Sequence, residues 1–99
     1  MALDGKIAIV TGGARGIGLA IARRFLQDGA SVVIADINDN QGALAAKELS
    51  ALGKVRFFAA DVSSRLDVHN LVAATIEAFG DVDILVNNAG IVHAADFLD

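Results

Sequence analysis

Three glycines, Gly12, Gly16 and Gly18, stand between a β-branched run and the start of a helical pattern in the stretch IAIVTGGARGIGLAIARRF, residues 7–25. A buried strand that turns at once into a helix needs a residue tolerant of positive φ, and Gly12 occupies that turn. Gly16, where the helix begins, leaves the backbone bare enough for a ligand to reach the amides. Gly18, on the first helical turn, lets helix and strand pack closely. The unpaired N–H groups and positive dipole end of such a helix favour an anion, and a cofactor pyrophosphate is the expected one.

Two carboxylates extend this pattern. Asp36 ends the next β-branched run, eighteen residues beyond Gly18, where it can accept hydrogen bonds from both hydroxyls of an adenosine ribose. Each such charge-assisted bond is worth about 1.5–3 kcal/mol. A 2′-phosphate would meet Asp36 as a like charge, so NAD is expected as cofactor in preference to NADP. Arg15, inside the glycine loop, is the competing signal, because it can reach such a phosphate. Asp61-Val62 ends a third run, where a carboxylate and the following N–H can together read the edge of an adenine. Arg15 and Ile37, beside the loop and Asp36, join the candidate cofactor-binding set. Each signal also has a plain structural reading: loops need glycines, Asp36 can start the turn Ile37-Asn38-Asp39, and Asp61 can cap the helix that follows.

The elements that must position these residues follow from periodicity. Lys6–Thr11, Ser31–Asp36, Lys54–Ala60 and Asp83–Asn87 read as short buried strands. Ile17, Ala20, Ile21 and Phe25 recur at helical spacing, with Gly29 as the stop. Asp39 or Asn40 is expected to cap a second helix with Leu44, Ala45, Leu49 and Leu52 inward, ended by Gly53. Ser64-Arg65-Leu66-Asp67 resembles a capping box, and Val68, Leu71, Val72, Thr75, Ile76 and Phe79 form one face up to Gly80. Alternating strands and helices with short loops predict a parallel sheet covered on both sides. Right-handed crossovers then favour a three-layer α/β/α, doubly wound sheet of the Rossmann type, four strands in the order 3-2-1-4.

Composition bounds the rest. With 99 residues, 55% of them apolar, and no segment of biased composition, one small packed domain over residues 1–99 is expected. No apolar stretch reaches the ~18 residues of a membrane span, and the start lacks the apolar core of a signal peptide, so a soluble, cytoplasmic protein without a membrane partner is expected. The absence of cysteine excludes disulfides and thiolate metal sites. No His and carboxylate spacing suggests a metal site. A net charge of −4, with eight scattered Lys and Arg, disfavours nucleic acid. His69 reads as a solvent-facing helix position, His93 as loop surface with a substrate contact as its alternative, and Asp96 and Asp99 as solvated.

Thr11-Gly12-Gly13-Ala14-Arg15-Gly16-Ile17-Gly18 and, about seventy residues later, Asn87-Asn88-Ala89-Gly90 closely resemble two motifs of the short-chain dehydrogenase/reductase family. The resemblance spans essentially the whole chain. It implies a Rossmann fold binding NAD(H), with Gly12, Ile17, Gly18, Asp36, Asp61, Val62 and Asn88, Ala89 and Gly90 lining the cofactor. It further implies that Thr11 and Asn87 or Asn88 tie neighbouring strands together. The activity implied is hydride transfer between the nicotinamide and a small secondary alcohol or ketone, in an enzyme that assembles as a dimer or tetramer. Members of the family carry their catalytic Ser and Tyr-x-x-x-Lys beyond the fourth strand, whereas this chain has no Tyr. No catalytic residue is therefore assigned, and the chain reads as the amino-terminal cofactor-binding part of such an enzyme. A non-catalytic nucleotide-binding module is the alternative. An S-adenosylmethionine-dependent methyltransferase shares the glycine loop and strand-end acids but not the Asn-Asn-Ala-Gly motif.

A sheet that stops at its fourth strand leaves Ile84–Asn87 as an edge and one face without its full helical cover. The isolated 99 residues are accordingly expected to aggregate or to melt no higher than about 45 °C, the low end for mesophilic domains. Circular dichroism checks this, and a cooperative transition well above that temperature would contradict it.

Overall fold

The computed structural model describes residues 2–88. The chain runs β1 (Ile7–Thr11), α1 (Gly16–Gln27), β2 (Ser31–Asp36), α2 (Asp39–Leu49), β3 (Val55–Ala59), α3 (Arg65–Phe79) and β4 (Ile84–Val86). The strands form one parallel sheet in the order β3-β2-β1-β4, as expected. Period-two alternation divides the strand side chains between two faces. Ala8, Val10, Val32 and Ile34 pack with Ala22 and Leu26 of α1 and Ala45 and Leu49 of α2. Ile9, Val33 and Ala35 pack on the other face with Val68 and Leu71 of α3. The result is three layers, with β1 and β2 central and buried on both sides.

Helix faces differ in detail from the apolar periodicity. In α1 the buried ridge is Gly18, Ala22 and Leu26, with Ile21 and Phe25 half-buried, Ala20 exposed and Ile17 72% exposed. Close approach decides this: a Cβ at Gly18 would strike the Gly12 carbonyl, so the smallest residues face the sheet and the bulky ones flank it. The same rule turns α2. Gly42, Ala45 and Leu49 are buried, because the Phe57 ring fills the space a Cβ at 42 would need. Leu44 consequently points outward at 67% exposure, and Leu52 lies exposed past the helix end.

Caps show a further difference. α2 is capped by Asn38, whose side chain accepts from the Gln41 N–H at 3.0 Å, not by Asp39 or Asn40. On α3 the Ser64 hydroxyl caps the Asp67 N–H at 3.2 Å as the capping-box pattern requires. The return arm goes elsewhere: Asp67 Oδ2 accepts from the Asp61 N–H at 2.8 Å, because the Ser64 N–H is already bonded to the Asp61 carbonyl. Gly80, in the left-handed region at φ 93°, ends α3. On α3 Val68, Leu71 and Thr75 are buried as expected, whereas Ile76 is exposed at the margin of the face.

Gly42→Ala is expected to lower stability by about 1–3 kcal/mol through overpacking against Phe57, although alanine is the better helix former by about 1 kcal/mol. Urea denaturation of the variant beside the parent measures the difference.

Candidate functional site

All four strands are parallel, so their carboxyl ends share one rim, where ligands of open α/β sheets bind. Register brings Thr11 beside Ala35 and Asp36 beside Ala59. The ladder continues past the strands through Gly12 N–H to the Ala35 carbonyl at 2.7 Å and Ala60 N–H to the Asp36 carbonyl at 3.1 Å. Thr11, fully buried, closes the β4 side. Its hydroxyl accepts from the Asn88 N–H at 2.8 Å and lies 3.2 Å from both the Val86 carbonyl and Asn87 Oδ1. The tie between Thr11 and the Asn87-Asn88 segment, implied by the family resemblance, is therefore present.

The glycine loop rises from this rim. Gly12 and Gly16 adopt φ of 65° and 60°, conformations that a side chain would strain. At Gly16 a Cβ would meet nothing within 4 Å, so the loop is bare on its outer side. Arg15 occupies the N-cap in extended conformation and gives no side-chain cap. The first backbone bond of α1 runs from Leu19 N–H to the Arg15 carbonyl at 3.3 Å. The N–H groups of Gly16, Ile17 and Gly18 have no acceptor among the described residues. α1 also has no acidic residue in its first turn, whereas α2 and α3 each have a capping side chain and an aspartate there. Of the helices described, only α1 presents a positive end that the protein leaves uncompensated.

A cleft of about 370 Å³ opens beside this loop, lined by Gly12, Arg15, Asp36, Ile37, Ala60, Asp61, Val62 and Asn88. Of the residues singled out from sequence, seven share this wall: Gly12, Arg15, Asp36, Ile37, Asp61, Val62 and Asn88. Gly16, Ile17 and Gly18 form the adjoining first turn of α1. Ala89 and Gly90 lie outside the described residues, as do His93, Asp96 and Asp99. His69 is exposed on α3 and does not line the cleft. Among the described residues no cluster of His, Cys, Asp and Glu could hold a metal ion, and no helix is long and apolar enough to cross a membrane.

Both strand-end carboxylates are engaged by backbone. Asp36, 6% exposed, accepts from the Asn38 N–H at 3.0 Å and the Ala14 N–H at 3.4 Å. The first is the turn-initiating bond of its structural reading, and the second ties Asp36 to the glycine loop. An ionised carboxylate has about four acceptor sites, so capacity for hydroxyl donors remains. Asp61 Oδ1 accepts from the Ser63 hydroxyl at 2.6 Å and the Ser63 N–H at 2.9 Å. These bonds, the hydroxyl foremost, hold the Asp61 carboxyl below the ordinary value of 3.8 against the opposing effect of desolvation. Ser64, not Asp61, caps α3. Three contributors were missed from sequence. Ala60 lines the cleft directly before Asp61, the Ala14 N–H meets Asp36, and Asp67 holds the Asp61 amide.

A bare, donor-rich helix end, an adjoining carboxylate and a cleft between them fit a dinucleotide. Comparison with known proteins identifies the family. Residues 6–99 match the family model described as short chain dehydrogenase. Tropinone reductase-like 1 of Erythroxylum coca is 50% identical over 91 residues, which are 92% of this chain and 33% of that protein. A short chain dehydrogenase from Mycobacterium smegmatis superimposes with a TM-score of 0.87 at 40% identity, covering 93% of this chain and 40% of that one. The Pseudomonas aeruginosa RhlG/NADP active-site complex gives 0.84 at 44% identity, covering 91% and 36%. The chain thus spans about a third of the curated relatives it matches. With fold, loop and rim in agreement, the chain belongs to the short chain dehydrogenase family.

Proposed function

We propose that this chain is the cofactor-binding part of an NAD-dependent short-chain dehydrogenase/reductase that moves hydride between nicotinamide and a small secondary alcohol or ketone. The carrying observation is the convergence, on one cleft, of the uncapped α1 end and the Asp36 carboxylate. The N–H groups of Gly16, Ile17 and Gly18 hold the diphosphate. Asp36 accepts from the ribose hydroxyls while its bond to Ala14 keeps the loop in place. Asp61 and Val62 would meet the adenine, Arg15, Ile17 and Ile37 would flank the dinucleotide, and Asn88 would serve its nicotinamide end; Ala89 and Gly90 are assigned to the cofactor with Asn88 from the family motif alone. When bound, the nicotinamide supplies the hydride chemistry. Proton transfer belongs to a Ser and a Tyr-x-x-x-Lys outside these 99 residues, in an enzyme that assembles with copies of itself.

NAD is favoured over NADP because Asp36, buried at the rim, would meet a 2′-phosphate on the adenosine ribose as a like charge. Isothermal titration calorimetry of the protein with NADH, NADPH and S-adenosylmethionine tests the proposal. NADH is expected to bind at least about tenfold tighter than NADPH, and S-adenosylmethionine not at all. Asp36→Asn keeps an acceptor for the backbone but removes the charge, so NADH affinity should fall about tenfold or more and the preference should shift toward NADPH. Binding of S-adenosylmethionine, or of none of the three, would refute the assignment.

A further inference from the structure

Asp61, on the cleft wall, is held through both its backbone and its side chain. Its N–H donates to Asp67 Oδ2 at 2.8 Å and its carbonyl accepts from the Ser64 N–H at 2.9 Å. Its Oδ1 accepts from the hydroxyl and the N–H of Ser63 at 2.6 and 2.9 Å. Asp67 is itself held, its N–H bonded to the Ser64 hydroxyl at 3.2 Å in the first turn of α3. These bonds leave Asp61 Oδ2 and the Val62 N–H without partners among the described residues. Both residues line the cleft, while Ser63 and Asp67 do not. One acceptor and one donor on adjacent residues complement the amine donor and neighbouring ring-nitrogen acceptor of a 6-aminopurine, and mismatch a 6-oxopurine, which carries an acceptor and an N–H there.

We propose that Ser63 and Asp67 are positioning residues that fix the Asp61 carboxylate and the Val62 N–H for selection of a 6-aminopurine over a 6-oxopurine base. The inference rests on the dinucleotide reading given above. A recognition group works only when its own supports restrict it. The Ser63 hydroxyl adds to its N–H in restricting the side chain of Asp61, and Asp67 restricts its backbone; losing either loosens the same carboxylate in a different way. The second support comes from a helix end, so the adenine-reading pair is referenced to α3 and not to the loop alone.

The test compares NADH with reduced nicotinamide hypoxanthine dinucleotide, its 6-oxo analogue, by fluorescence titration of the full chain. The parent is expected to bind NADH about tenfold tighter than the analogue. Ser63→Ala and Asp67→Ala should each cut that preference to about twofold, whereas Asp67→Asn, whose amide oxygen still accepts the Asp61 N–H, should keep it. Should Asp67→Ala fail to fold, Ser63→Ala decides, since Ser63 is exposed and its loss disturbs no core packing. Variants that melt earlier yet keep the parent's preference would show that the supports are merely structural and overturn the inference. A parent that binds NADH but does not discriminate overturns it too, while leaving the dinucleotide reading in place. A parent that binds neither dinucleotide removes the reading itself.

Discussion

Backbone contact between α1 and the end of β1 is the constraint from which the rest of the molecule follows. At Gly18 the helix comes so near the Gly12 carbonyl that no side chain fits between them. That approach sets the rotation of α1, burying Gly18, Ala22 and Leu26 on one ridge and sending Ile17 outward. It also fixes where the helix begins. With its first turn pressed against the rim, α1 aims its donors across the carboxyl ends of the strands, where Asp36, Asp61 and the Thr11-bound Asn88 already stand. A looser packing would leave the same residues present and the geometry lost.

Magnitudes indicate how the site would hold a charged ligand. A helix dipole contributes about 0.3–1 kcal/mol toward a nearby anion, less than one or two hydrogen bonds to a charged group at about 1.5–3 kcal/mol each. The amide donors of the first turn, more than the dipole, would therefore carry the attraction. Asp36 is close enough to the same loop to bond the Ala14 N–H, so anion cradle and carboxylate form one mechanical unit. The carboxylate works against an anion at longer range. Its two backbone bonds partly offset that repulsion, and they fix the carboxylate at the rim of the cleft.

Strand order and the membership of the rim were legible in the sequence because parallel βαβ units leave few alternatives and because Asp36 and Asp61 follow directly on their strands. Which helix ridge turns inward was not. Apolar periodicity shows where side chains are greasy, while the ridge is chosen by closest approach, and Gly18 and Gly42 carry no hydropathy signal at all. Three neighbours, Asn38, Asp39 and Asn40, could each cap α2. Asn38 is selected because Asp36 Oδ1 already holds its N–H and stops the chain there. Asp67 was legible as half of a capping box, but not its use. Its carboxylate turns to Asp61 because a backbone carbonyl reaches the Ser64 N–H first, a competition settled by the loop's course in space.

The contrast among helix ends has an energetic meaning. A capping side chain is worth about 0.5–2 kcal/mol, and α2 and α3 both have one. α1 forgoes it, with Arg15 in place of a Ser, Thr, Asn or Asp. Stability withheld at that position returns only when something else satisfies the donors. Any ligand that binds the folded chain and not the unfolded one stabilises it by RT ln(1 + [L]/Kd), about 2.7 kcal/mol at a hundredfold excess over Kd, more than the omitted cap. On the function proposed above, the bare end of α1 is a coupling device as well as a binding surface. It links occupancy of the cleft to the integrity of the sheet through the Gly12–Gly18 contact, while the capped ends of α2 and α3 keep Asp36 and Asp61 in place whether or not the cleft is filled.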